Sequence, residues 1–462
     1  MNEFTRGDEG KLDRRGFLRK AAAGAAAAGV ALSQAGGAAA GPVGPNERIN
    51  IGCIGVGGRG SGLCRQLLKR AKDPNHNIAV VGVCDVWDKR TQNMVDASEG
   101  TAKGFRDYRE LLQMPDLDAV TCATPDHSHA KITIDAMKAG KDVYCEKPLT
   151  LYWHEAKEVA RVSKETGCLV QCGAGSGSDG RWWTAGDVVR QGGIGPLIWT
   201  QGGAFRNNPG GDWNWAIQPA DPNTDLDWDT WLGWRWDLAP NRPYDAARYS
   251  RFRKYWDYSG GLATDLLYHT YAHLCIGLDT PIPYRVMCSG GFPIHGPEND
   301  DRETPTIVHL LADYPDQSTI HLVGSQEQTD GLPDLIRGQK ASLEAGGPGV
   351  VVRPQGPFRD ELMDMAQELE CYKDAKLITE KKGDKEELQR IEVPNRYNWG
   401  DHMDNWLKCI RTREQPTLNA QRAYIAQIPI SLSVTAFREN RVVFFDPEKE
   451  EVVDTPPPGA IG

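Results

Sequence analysis

Lys147, Asp265 and His269 are the side chains whose types and setting suggest proton and hydride chemistry. Lys147 stands in Cys145-Glu146-Lys147-Pro148, and the other two close the run Gly260-Gly261-Leu262-Ala263-Thr264-Asp265-Leu266-Leu267-Tyr268-His269. An alcohol cannot give up hydride unless its hydroxyl proton also leaves, and histidine is the side chain best matched to accept that proton near neutral pH. Asp265 and His269 lie four apart in a helix-like run, which predicts one face and one shared cleft. On this reading His269 is the general base, Asp265 its orienting partner, and Lys147 the ammonium that supports a developing alkoxide. His273 continues the same face, but no cysteine ligand or His-Glu-x-x-His arrangement lies nearby, so no metal is expected.

Such a trio needs a scaffold. From Arg48 onward short apolar runs alternate with amphipathic ones: strand-like Ile49 to Ile54, helix-like 61 to 71, strand-like Ile78 to Cys84, helix-like 88 to 98. Strand-like Ala119 to Ala123, helix-like His129 to Lys138, strand-like Val143 to Cys145, helix-like 152 to 166 and strand-like Leu169 to Cys172 follow. Buried strands separated by helices predict a doubly wound parallel sheet over residues 47–175. Gly55-Val56-Gly57-Gly58-Arg59-Gly60 falls between the first strand and helix, where a G-x-G-x-x-G turn cradles a pyrophosphate on the helix N-terminus. Asp85, at the end of the second strand, is suited to ribose hydroxyls, and no basic residue adjoins it, which favours NAD over NADP. Thr124, Pro125 and His129 follow the next predicted strand, where the chain must turn over a cofactor. Lys147 ends the strand after that, in the crevice where ligands of such sheets bind. Glu146 is expected to position that turn.

Fingerprint, Thr-Pro-x-x-x-His, Glu-Lys-Pro and Asp-x-x-x-His together resemble the glucose-fructose oxidoreductase and inositol dehydrogenase (Gfo/Idh/MocA) family across nearly the whole chain beyond residue 40. The resemblance carries over to Gly55, Gly57 and Gly60, to Glu146, Lys147 and Pro148, and to Asp265 and His269. It implies a dinucleotide-binding domain followed by an α+β domain with an open sheet, action on sugars or polyols, and a homo-oligomer. Texture agrees: after Gly173 the chain turns to Gly, Trp and strand-like runs at Leu197 to Phe205, Tyr284 to Cys288, Thr306 to Leu311 and Thr319 to Val323. These predict a largely antiparallel sheet in an α+β domain over 176–445, with 446–462 as a tail. Segments 206–259 and 327–358 are expected to be substrate-facing loops or subunit contacts. Ten of the fourteen tryptophans fall between Trp182 and Trp256. Flat indoles suit the C–H faces of a pyranose, so Trp182, Trp213 and Trp228, with His273, are candidate substrate contacts, although aromatic residues also favour subunit interfaces.

Residues 1–40 form a separate unit. Asp13-Arg14-Arg15-Gly16-Phe17-Leu18-Arg19-Lys20, a small-residue apolar run from Ala21 to Leu32 and Ala38-Ala39-Ala40 resemble a twin-arginine export signal, too short to anchor in a bilayer. That route carries folded proteins, so the expectation is a periplasmic or otherwise exported enzyme with tightly held NAD. The formal net charge of −10 makes nucleic acid an unsuited partner. Eleven cysteines, several in strand-like runs, are expected to be mostly free and buried. Three functions fit: an oxidoreductase acting on a sugar or polyol, a glycoside hydrolase or lyase working through transient C3 oxidation and elimination, and a non-catalytic sugar-binding envelope protein.

Overall fold

The computed structural model describes residues 47–279 and 282–457, so the export-signal reading lies outside the described residues. Strands Ile49–Ile54 (β1), Ile78–Cys84 (β2), Lys103–Phe105 (β3), Ala119–Cys122 (β4), Asp142–Cys145 (β5) and Val170–Cys172 (β6) form one parallel sheet in the order β3-β2-β1-β4-β5-β6. Helices Gly58–Ala71 (α1), Asp88–Ala97 (α2), Tyr108–Leu112 (α3), Asp126–Lys138 (α4) and Trp153–Thr166 (α5) alternate with these strands. Every residue of β4 and β5 is buried, as expected of strands covered on both faces. The strand order reverses between β1 and β4, which opens a crevice at their carboxyl ends. At its floor Gly55 adopts φ +77°, and a Cβ on Gly60 would sit 1.7 Å from the Gly55 carbonyl oxygen. The first position needs a left-handed backbone and the third allows α1 to touch the β1 turn.

The second sheet contains Leu197–Asn207 (β7), Arg285–Gly291 (β8), Ile307–Asp313 (β9), Thr319–Ser325 (β10), Glu327–Gln328 (β11), Leu335–Gly338 (β12), Ala341–Gly346 (β13), Gly349–Pro354 (β14), Lys376–Lys382 (β15), Lys385–Pro394 (β16), Val443–Asp446 (β17) and Glu451–Val453 (β18). Their order is β15-β16-β14-β13-β12-β7-β10-β9-β8-β17-β18, with β11 on β7. β7 and β10 run parallel, and the other pairings among the described residues are antiparallel. Helices Gly180–Arg190 (α6), Trp228–Leu232 (α7), Ala246–Ser250 (α8), Tyr268–Leu278 (α9), Arg359–Glu368 (α10), His402–Thr412 (α11) and Ala420–Glu439 (α12) complete the chain. Alternate residues of β9 and β10, such as Val308, Leu310, Ile320 and Leu322, are buried, so one face of the sheet meets the helices.

Two expectations need correction. Segment 327–358 is mostly sheet: the strands β12, β13 and β14 are short, and glycines and prolines between them hide the alternation. The presumed tail contributes β18, which pairs with β17.

Two connections bind the halves together. Met403, Trp406, Leu407 and Ile410 of α11 sit in the same core as Ile49, Ile51, Leu67 and Val80 of the first domain. Segment 206–259 forms a strap across the end of the parallel sheet, with an aromatic core of Trp228, Trp231, Tyr249, Tyr255 and Tyr258 packed on Trp87. Trp87 donates its indole N–H to Asp225 (2.7 Å), and the backbone N–H of Asp227 donates to the carbonyl of Val86 (2.9 Å).

Gly60→Ala is expected to force α1 away from the β1 turn at a cost of about 1–3 kcal/mol, read as a lower midpoint in urea unfolding.

Candidate active site

The crevice opens into a cavity of about 840 Å³ that runs from the glycine turn to the second domain. Gly55, Gly57, Gly58, Arg59, Asp85, Thr124, Pro125, Glu146, Lys147, Trp213, Asp265 and His269 all line it. Gly60 lies beneath, in the β1–α1 contact. His129 has a different place: its Nδ1 lies 2.7 Å from the Pro148 carbonyl and its Nε2 2.8 Å from that of Thr124. It is buried and ties the two cofactor-facing turns together instead of facing the cavity.

The glycine turn fits a dinucleotide. A Cβ on Gly58 would meet open space within 4 Å, directly over the amino end of α1, so room for an anion exists where the helix presents unpaired N–H groups. Asp85 is buried and accepts the Trp87 N–H at 3.0 Å. Burial pushes its carboxyl up, against the opposing pull of Arg90, whose guanidinium stands 3.9 Å away.

At the far end, β5 delivers Lys147 beside Asp265. The ammonium donates to the Asp265 carboxylate (2.6 Å) and to the Asp265 carbonyl (2.8 Å). The same carboxylate oxygen accepts the Nε–H of Arg253 at 2.7 Å. Burial alone would raise this carboxyl, but the Arg253 and Lys147 cations hold it well below the usual range. Glu146 accepts from Arg59 Nε (2.7 Å) and from the backbone N–H of Lys147 (3.3 Å), which fixes the turn. The Lys147–Pro148 peptide is cis.

The helix carrying Asp265 and His269 is not regular. Residues Ala263–Leu267 form a π-helical turn that runs into α9, so the simple α-helical spacing expected for the pair is corrected. Such insertions are frequent at functional sites. No hydrogen bond joins Asp265 to the His269 ring among the described residues: Lys147 and Arg253 both bond the Asp265 Oδ1 instead. Burial, then the nearby Lys147 charge, lower the His269 pKa to about 4, with Asp265 opposing. The imidazole is therefore neutral at pH 7 and free to accept a proton.

Three expected substrate contacts lie outside the cavity lining. Trp182 stacks on His273 (ring centroids 4.3 Å apart), and His273 Nε2 pairs with Asp334 at 2.8 Å. Trp228 stacks on Trp231 and donates to the Arg242 carbonyl at 2.9 Å, within the strap's own core. Their aromatic character serves packing. The residues that sequence reasoning missed include Arg253, Arg206, Gln218 and Tyr249, all on the strap and all lining the cavity. Arginines interleaved with tryptophans were the one available signal.

None of the eleven cysteines forms a disulfide among the described residues, and ten are buried. Cys122, His129 and Cys145 hold ligand-type atoms within 4.8 Å of one another. Both ring nitrogens of that histidine are directed at carbonyl oxygens, so the trio does not present an open ligand set.

A doubly wound domain with a glycine turn, an acid at the second strand and Lys147, Asp265 and His269 in the same cavity has the architecture of a dinucleotide-binding oxidoreductase domain. The sequence models of the GFO_IDH_MocA oxidoreductase family match here, the NAD-binding Rossmann fold over residues 49–174 and the C-terminal alpha/beta domain over 203–345. The chain belongs to this family. It is 32% identical over 117 residues to an inositol 2-dehydrogenase/D-chiro-inositol 3-dehydrogenase of Lactiplantibacillus plantarum, covering 25% of this chain and 32% of the relative. It is 32% identical over 186 residues to a levoglucosan dehydrogenase of Pseudarthrobacter phenanthrenivorans (39% and 45% covered). Identity to a glycosyl hydrolase family 109 protein of Akkermansia muciniphila is 28% over 163 residues (33% and 32%). The aligned regions thus span less than half the length of these curated relatives. The fold is shared with the WlbA dehydrogenase of Bordetella pertussis, solved with NADH and UDP-GlcNAcA (TM-score 0.59, 15% identity, 87% of this chain and 99% of that one).

Two outcomes follow from the electrostatics. Protonated His269 cannot take a proton, so kcat/KM is expected to fall as pH drops through about 4 instead of the ordinary 6.5, and His269→Gln abolishes that acid limb in a pH–rate profile. Asp265→Asn leaves two buried cations facing each other without a counter-charge. It is expected to cost about 3–5 kcal/mol in denaturant unfolding.

Proposed function

We propose that this chain is an exported NAD-dependent oxidoreductase that oxidises a carbinol of a sugar or polyol. The observation that carries the reading is the meeting of Lys147, Asp265 and His269 in one cavity with the glycine turn and Asp85. A bound NAD would be held by Gly57, Gly58, Asp85 and the Thr124–Pro125 turn, and its nicotinamide would supply the hydride acceptor. The residues do the rest. An ammonium has three donors; Asp265 takes two from Lys147, which leaves one for a substrate oxygen. That donor stabilises negative charge as it grows on the oxygen, and neutral His269 removes the hydroxyl proton. The strap walls the cavity with Trp213, Trp215 and Trp231.

A nucleotide retained between turnovers fits the same strap, because Trp87–Asp225 and the backbone bond of Asp227 to Val86 span the edge by which it would leave. Export is motivated by Arg14-Arg15 and the apolar run after them. The partial match to a family 109 glycosyl hydrolase favours a second reading, a glycoside-cleaving enzyme in which His269 serves as base on the same ring.

Lys147→Ala and His269→Ala are each expected to lower kcat by roughly 10²–10⁴ with the nucleotide still bound, measured by nicotinamide absorbance on a panel of sugars and polyols. A full-rate variant at either position sinks the oxidoreductase reading. An aryl glycoside supplied without added nucleotide separates the alternatives: aglycone release at constant nicotinamide absorbance supports cleavage, and net NADH formation supports oxidation. Native mass spectrometry of the purified protein is expected to show a bound dinucleotide, and a bare chain mass refutes retention.

A further inference from the structure

Arg253 has only its Nε–H committed, to Asp265; among the described residues no hydrogen bond engages its two terminal nitrogens. Its guanidinium lies over Phe252 (4.5 Å to the ring centroid) and beside Trp215 (5.5 Å), which holds the planar fork in a fixed attitude at the cavity wall. The side chain is only 19% exposed, so its charge is poorly screened by solvent. The same Asp265 carboxylate must also balance Lys147. Arg206, half exposed on the same strap, meets Asp212 only at 3.4 Å, and that carboxylate also accepts from Gln326 at 3.2 Å. Two further carboxylates of the cavity act on Arg253 through their charge without bonding its fork: Asp126, which accepts from the hydroxyls of Ser259 and Thr264, and Glu146, which accepts from Arg59. The two terminal nitrogens of Arg253 and the weakly paired Arg206 are thus the open donors on the strap side of the cavity.

We propose that this end binds a carboxylate-bearing sugar, with the free fork of Arg253 as the anchor of the carboxylate and Arg206 as a second cation. The inference rests on the reading above that a sugar carbinol lies at Lys147 and His269. A planar guanidinium with two parallel N–H groups matches a carboxylate bidentately, and such charge-assisted pairs are about twice as strong as neutral hydrogen bonds. A neutral sugar offers the fork only hydroxyls. The indole of Trp215, half exposed at the cavity wall, supplies apolar surface for the ring of either kind of sugar.

The test is binding of D-glucuronate, D-galacturonate, D-glucose, D-galactose and D-glucose 6-phosphate to the purified full chain, followed by tryptophan fluorescence, with nicotinamide turnover measured in parallel. Each uronate is expected to bind at least about tenfold more tightly than its neutral counterpart. Arg253→Gln should collapse that ratio, and Arg253→Lys, which keeps the charge beside Asp265 but lacks the fork, should reduce it. Arg206→Gln leaves the Asp265 cluster untouched and should also lower the ratio, so the proposal stays testable if the Arg253 variants unfold. Equal or tighter binding of neutral sugars, or an uronate preference that survives both glutamine variants, overturns the assignment. Tighter binding of the sugar phosphate with the same arginine dependence overturns it in favour of a phosphate subsite. Uronate-selective binding without turnover of any of the five sugars would overturn the oxidoreductase reading and leave the subsite standing.

Discussion

The carboxylate of Asp265 lies between the ammonium of Lys147 and the guanidinium of Arg253, and that shared contact organises the candidate site. Each partner comes from a different part of the chain: the end of a strand in the parallel sheet, the strap, and the irregular helix of the second domain. Burying three charges is expensive unless they satisfy one another, and here each cation has the same acid within hydrogen-bond reach. The arrangement fixes the ammonium to within a hydrogen bond while leaving His269 outside the ion cluster. The His269 imidazole and the Lys147 side chain therefore stand in one cavity without sharing a hydrogen bond.

The other interdomain contacts keep that geometry in place. Asp126, at the start of α4, accepts from Ser259 and Thr264 on the approach to the π-helical turn, so the first domain also grips the helix that carries Asp265. On the strap, Lys254 is fully buried and bonded to Asp300, Asp301 and Asn214, while Arg302 joins Asp300 to the Asp212 carbonyl. This network underlies the turn bearing Trp213 and Trp215. The second domain thereby contributes a rigid wall, although its residues 206–259 contain little regular structure.

Much of this was legible in the sequence where chemistry and local pattern coincide. The parallel sheet could be read because β1, β2, β4 and β5 are short apolar runs punctuated by helices, and the glycine turn because its spacing is tied to one backbone shape. Lys147, Asp265 and His269 could be named because few residues do their work. What stayed hidden depends on contacts distant in sequence. Nothing in residues 263–269 announces a widened helical turn, and nothing local says that Asp265 would be held by Arg253 instead of facing His269. Trp182, Trp228 and His273 looked like a sugar surface because composition cannot distinguish an indole that packs on its neighbours from one that faces a cavity. β12 to β14 were missed because their alternation is brief and broken by glycine, and β3 because it has three residues with two exposed.

The seating of α11 in the first domain has a consequence for how the polypeptide matures. Trp406 is fully buried against Tyr144 of β5, and Arg411 reaches back to the carbonyls of Glu47, His76 and Asn77. The nucleotide-binding half therefore lacks part of its own interior until α11 has left the ribosome. N-terminal domains usually condense first during synthesis, but this one completes its core only with α11, and a fragment that stops short of α11 would be born with an open flank.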